Sequence, residues 1–209
     1  MRSRIRKILM ICSNYDAFAL EEDGRIENQV RSEYRELNLS NPPKFIWANS
    51  SQQAREIVSS ETEVDMIICM FNEQDKGIFP FASELKEEGR GIPFVLLIHY
   101  SKAVRQRVLE SPRPGVDFVF SWHGNADLIL AIVKLLEDAA NADNDVFEVG
   151  VKGILLVEDS IRYYSNYLPE LYKIVLTQSR EFLKESLNED QKKYRKRSRP
   201  KIFLATCLE

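Results

Sequence analysis

The sequence predicts an α/β fold: a doubly wound, five-stranded parallel sheet in the order 2-1-3-4-5, followed by a partial strand-helix-strand unit built on one long helix. Three observations carry this expectation. Short apolar runs without alternation recur at residues 7–12, 45–48, 66–71, 93–99 and 116–120, the signature of strands buried on both faces. Segments with helical spacing separate them, so strand and helix alternate, which implies parallel crossovers. After an acidic, small-residue stretch the pattern restarts: Ile8 to Asn14 and Ile154 to Ser160 align at an offset of 146 (154 − 8).

The elements follow in order. The first strand exits at Ser13 and Asn14, and after a polar loop Ile26, Val30, Tyr34 and Leu37 mark an amphipathic helix. Pro42 and Pro43 end it, because proline lacks an amide donor and restricts the residue before it. A second strand follows at 45–48, and Ser51 is the expected N-cap of a helix carrying Ala54, Ile57 and Val58. The third strand, Val64 to Phe71 with six apolar residues after Asp65, is closed by Asn72 to Gly77. A helix around Phe81 and Leu85 ends at Gly89 or Gly91, and the fourth strand runs from Pro93 to His99. Ser101 caps a helix with Val104, Val108 and Leu109, which Pro112 to Gly115 breaks. The fifth strand is expected at 116–120, and Leu128, Ile132, Leu135 and Leu136 form the inner face of a fifth helix.

Domains are expected at 1–140, with a linker at 141–152 and an incomplete second unit at 153–209. The second unit offers a strand, a long helix with Ile161, Tyr164, Leu168, Leu171, Val175, Gln178 and Phe182 at steps of three and four, and a strand at 201–205. Pro169 predicts a kink or break in that helix. A strand-helix-strand fragment has faces left to cover, so it is expected to lean on the first domain, on further sequence, or on a second chain, the last giving self-association through 153–209.

Composition narrows the function. With 209 residues, 44% of them hydrophobic and 29% charged, the chain suits one full core and part of another. A net charge of −3 gives no global attraction to nucleic acid or membrane. The basic start is followed only by Ile8 to Cys12, shorter than a signal-peptide core, and no apolar run is long enough to span a bilayer. Cys12, Cys69 and Cys207 make no C-x-x-C pair, and a cytoplasmic location is expected.

In an open α/β sheet, ligands gather at the carboxyl ends of the strands. The stretch Ile154-Leu155-Leu156-Val157-Glu158-Asp159-Ser160 resembles the first strand and acidic pair of the response-regulator receiver (CheY-like) family, and the strand-helix order of residues 7 to 139 is similar to that whole flavodoxin-like fold. The resemblance implies two-component signal transduction or phosphorelay. In that family the acidic pair and an aspartate ending the third strand hold magnesium. That aspartate takes the phosphoryl group, which a Ser/Thr after strand four and a Lys after strand five contact. Carried onto this chain, the acidic pair falls on Cys12 and Ser13, the acceptor on Met70, the Ser/Thr on Ile98 and the Lys on Trp122. A thioether cannot accept phosphate, so the first unit resembles a pseudo-receiver that needs no cofactor. In the second unit the acidic pair survives as Glu158 and Asp159. A complete second unit would take Mg2+ there; the bland alternative is a carboxylate pair at a helix N-terminus.

A narrower resemblance rests on Tyr15-Asp16-Ala17-Phe18, Glu21-Glu22-Asp23-Gly24-Arg25 and Glu36-Leu37-Asn38-Leu39, which is similar to the receiver-like region preceding phosphoenolpyruvate synthase or pyruvate phosphate dikinase-like enzymes. It implies the non-catalytic front of a phosphotransfer enzyme as the alternative; this chain carries none of the catalytic regions. The acids of the 21–23 loop read as solvated rather than as a replacement pair. A zinc site from Cys12, Cys69, His99 and His123 is a remote alternative, because no pair has zinc-motif spacing. The basic run from Lys192 to Lys201 reads as a solvated helix end before it reads as a phosphate-backbone contact. The leading expectation is a non-enzymatic regulatory module acting by protein contact, through the fourth-strand and fifth-helix side that receivers of this type use. The partner is a protein or other domains of a larger chain, not a membrane or nucleic acid.

Overall fold

The computed structural model describes residues 3–13, 16, 26–37, 39, 41–60, 63–99, 112–184 and 199–206. The chain divides into two compact units: Ile5–Gln29 with Asn41–Asn125, and Met1–Arg4 with Val30–Ser40 and Ala126–Glu209.

In the first of these, β1 (Lys7–Ile11), β2 (Lys44–Ala48), β3 (Met66–Met70), β4 (Phe94–His99) and β5 (Phe118–Trp122) form one parallel sheet in the order β2-β1-β3-β4-β5. The chain winds one way from β1 to β2 and the other way from β3 to β5. Right-handed crossovers therefore make the sheet doubly wound and flavodoxin-like, as the alternation predicted. All of β3 is buried, as are Ile8 to Ile11 and Phe94 to Ile98, which explains runs without alternation; the edge strand β2 instead exposes Lys44 and Trp47.

Two aspartates set the strand starts. Asp65, just before β3, accepts hydrogen bonds from the Arg6 and Lys7 amides through Oδ2 at 2.7 and 2.9 Å. Asp117, just before β5, accepts from the Phe94 amide at 2.7 Å and from Lys86 Nζ at 2.7 Å. With Asp117 engaged in this way, β5 begins at Phe118 and runs to Trp122, two residues later than the sequence suggested. Gly115 precedes it at φ +79°, and a Cβ there would run into the Ala82 backbone, so only glycine fits.

The helices described are α1 (Ile26–Glu36), α2 (Ser51–Ser59), α3 (Ile78–Glu87), α4 (Ala126–Ala140) and α5 (Ile161–Lys184). The N-cap of α2 is Ser50, whose side chain accepts from the Gln53 amide, and not Ser51. Ser51 is taken by Asp75 instead. The helix expected from Ser101 to Leu109 lies outside the described residues.

In the other unit, β6 (Gly153–Val157) pairs in parallel with β7 (Lys201–Ala205), and α5 connects them. Pro169 lies inside α5 without ending it, although it removes one amide donor from the helix. The expected linker region contains a π-helical turn, Asp143–Glu148, with Asp145 buried.

The centre of this unit is ionic. Asp138 of α4 is fully buried and accepts four hydrogen bonds: Arg199 Nη2 at 2.6 Å and Nη1 at 3.0 Å, Tyr172 Oη at 3.1 Å and the Ile202 amide at 3.1 Å. Lys201 Nζ lies 2.7 Å from Asp145 Oδ2 and 3.7 Å from Asp138 Oδ1. Burial lowers the affinity of the Arg199 guanidinium for its proton, but Asp138 more than reverses this. Two of the basic run's seven cations are therefore interior and neutralised, where the sequence suggested a solvated face; residues 192–198 lie outside the described residues.

Removing one partner of such a pair strands a buried charge, which costs about 3–5 kcal/mol, whereas an exposed pair contributes under about 1 kcal/mol. Urea unfolding of Arg199→Met is accordingly expected to show the larger loss, with Arg55→Met, whose partner Glu84 is exposed, within about 1 kcal/mol of the parent. Asp145 gives a pH signature. Burial raises its pKa, but the hydrogen bonds from Lys201 and Asn144 and the Lys201 charge leave it below its ordinary 3.8. A depressed carboxylate stabilises fully above its unfolded pKa and loses that contribution as pH falls through the folded value. Thermal melts between pH 5 and pH 2, roughly, should fall less steeply in Asp145→Asn than in the parent.

Candidate functional site

The parallel register brings the carboxyl ends of the strands to one edge of the sheet. Ile11 stands opposite Cys69, Met70 opposite Leu97, and His99 opposite Trp122. Cys12, Ser13, Met70, Ile98 and Trp122 therefore all lie at this edge, as the strand assignment required. Met70 is buried at 3% exposure, Ile98 is fully buried and Trp122 nearly so. These three side chains give the edge an apolar floor.

Cys12 continues β1, donating its amide to the Ala48 carbonyl at 3.0 Å. Burial, with a smaller contribution from Asp16, pushes its thiol up to about 12; the Cys69 thiol is also raised, chiefly by burial. Both cysteines are small hydrophobes here rather than thiolates. Ser13 differs: its hydroxyl donates to Asp16 Oδ2 at 2.6 Å and accepts from the Asp16 amide at 3.1 Å. Asp16 Oδ1 lies 3.4 Å from His99 Nε2. A carboxylate three residues after Ser13 is thus tied to Ser13 and faces the end of β4. Sequence reading assigned Asp16 only to the narrower resemblance. The available signal was the spacing Ser13-x-x-Asp16, at which a hydroxyl can both donate to the acid and accept from its amide.

The acid nearest the end of β3 is also engaged. Asp75 accepts from the Ser51 amide and hydroxyl, both at 2.7 Å, and from the Gly77 amide at 3.0 Å. It fastens the loop after β3 to the start of α2. No group of three His, Cys, Asp or Glu side chains placed to hold a metal occurs among the described residues, so the remote zinc set Cys12, Cys69, His99 and His123 is not brought together. Glu158 and Asp159 follow β6; Glu158 Oε1 accepts from the Ser160 amide at 2.9 Å at the start of α5, and Asp159 is exposed. That contact is the capping role of a carboxylate at a helix N-terminus.

No protein-family model matches the chain, and no curated protein does. Among solved structures, the crystal structure of the signal receiver domain of an HD domain-containing protein from Pseudomonas fluorescens Pf-5 matches over 66% of this chain and 99% of that one, with 17% sequence identity and a TM-score of 0.41. The fold class stands on the strand order itself. The resemblance to the front of phosphoenolpyruvate synthase-type enzymes rests on sequence alone. No helix among the described residues is long and apolar enough to cross a membrane.

The Cys12 environment sets an expected reactivity. At pH 8, peptide-resolved alkylation by iodoacetamide should leave Cys12 unmodified while the protein is folded and label it in urea. Asp16→Asn should leave it slow, since burial is the larger cause.

Proposed function

We propose that the chain is a regulatory, receiver-like signal-transduction module that acts through protein contact, and that its first unit does not accept phosphate. The observation that carries this reading is Met70, a buried thioether at the carboxyl end of β3, with Ile98 and Trp122 buried at the same edge. Phosphoryl transfer to a carboxylate needs an acceptor oxygen, a hard cation held by oxygen ligands and donors for the charge on phosphorus. The acids nearby serve other contacts: Asp16 meets Ser13 and His99, and Asp75 holds Ser51 and Gly77. The module is not an enzyme, works in the cytoplasm and needs no cofactor in its first unit. Magnesium chemistry belongs to a completed second unit, at Glu158 and Asp159. The partner is a protein or another domain; Arg199 and Lys201 are buried in ion pairs, which speaks against nucleic acid.

Treatment with acetyl phosphate and Mg2+, followed by intact and peptide mass analysis, is expected to place no acyl phosphate on residues 1–140. Met70→Asp alone should not restore labelling, because Cys12, Ser13, Ile98 and Trp122 would still offer neither metal ligands nor a cation. Stoichiometric labelling of that region in the parent protein would overturn the reading.

A further inference from the structure

The β6–β7 strand pair repeats the β1–β2 pair in strand length and in the hydrogen bonds at both ends. Strand β1 spans Lys7–Ile11 and β6 spans Gly153–Val157, an offset of 146 at both ends (153 − 7 and 157 − 11). The Lys44 amide donates to the Arg6 carbonyl at 2.8 Å, and the Lys201 amide to the Lys152 carbonyl at 2.9 Å. At the other end the Cys12 amide donates to the Ala48 carbonyl and the Glu158 amide to the Ala205 carbonyl, each at 3.0 Å. Residues 12 and 158, like 6 and 152, differ by the same 146.

The two copies differ on the opposite edge. Strand β1 is also paired with β3, in the register Ile8 to Met66 through Ile11 to Cys69, and its Ile8, Leu9 and Met10 are completely buried. The sheet containing β6 has only β7 as its other strand among the described residues. Leu155 is 63% exposed and Val157 43%. In a parallel strand, alternate residues turn both backbone groups to the same edge. Residues 152 and 158 face β7, so Gly153, Leu155 and Val157 turn theirs to the open edge, as Lys7 does when its carbonyl accepts from the Asp65 amide at 3.0 Å.

We propose that this edge of β6 is a docking site for one further β-strand, running parallel to β6 and built like residues 65–69: an acid followed by four consecutive apolar residues. In the first unit the acid is specified by Asp65, which caps the Arg6 and Lys7 amides; the corresponding groups here belong to Lys152, whose side chain adds a cation, and Gly153. The apolar residues match the exposed Leu155 and Val157. Direction distinguishes this occupant from a second copy, since two β6 edges meeting across a two-fold axis perpendicular to the strands would run antiparallel. The proposal rests on the internal repeat and not on the phosphorylation reading.

The probe is a synthetic peptide of residues 63–72 with Cys69→Ser, a C-terminal tri-lysine tail for solubility and a nitroxide at its N-terminus, added to the full chain and followed by amide NMR. The Leu155 and Val157 amides are expected to exchange with solvent rapidly without peptide and at least roughly ten-fold more slowly at saturation. The nitroxide should broaden Lys152 and Gly153 more than Val157 and Glu158. The Val157→Pro variant should lose the effect while keeping the β6–β7 bonds, because the Val157 amide faces away from β7. Absence of protection in a folded chain, broadening at the Val157 end, or protection without peptide that rises with protein concentration would each overturn the proposal, the last by naming a second copy as occupant.

Discussion

Pairing of β1 on both edges is the constraint on which the rest of the sheet depends. A strand buried on both faces has no water for its backbone groups, so each amide and carbonyl needs a neighbouring strand. With β2 on one side and β3 on the other, β1 fixes the reversal of winding, and the reversal fixes where side chains converge. Asp65 sets the start of β1 against β3, and Asp117 sets β4 against β5. Register then places residue 12 beside residue 70, and the character of that edge follows from which side chains stand there.

Those side chains are apolar or already engaged. Cys12, Met70 and Ile98 close the edge with hydrophobic volume, while Ser13, Asp16 and His99 link the ends of β1 and β4. A parallel sheet whose carboxyl edge is lined this way offers apolar surface and engaged polar groups rather than free carboxylates at the ends of β1 and β3. In the other unit Glu158 and Asp159 follow β6, and among the described residues β6 pairs with β7 alone where β1 pairs with both β2 and β3.

Local patterns made the sheet readable from sequence. Unbroken runs such as Met66 to Met70 announce buried strands, and the offset of 146 between Ile8 and Ile154 announced the repeat that the hydrogen bonds reproduce. What escaped were contacts between residues far apart in sequence. Asp138 and Arg199 are 61 residues apart, and no periodicity marks them, although charges inside the strongly apolar helix α4 were a warning. Asp16 escaped because its contact with His99 joins residues 83 positions apart (99 − 16) that no periodicity links. The start of β5 was misplaced because Val116 and Asp117 look strand-like while Asp117 serves β4.

The claim that the edge of β3 keeps a receiver's shape without its chemistry is tested most directly by titrating the isotopically labelled chain with Mg2+ and beryllofluoride, a mimic of the phosphoryl group. The amides of Ser13, Met70 and Phe71 are expected to hold their positions in the spectrum through the titration. Saturable shifts of those amides, dependent on both Mg2+ and beryllofluoride, would contradict it.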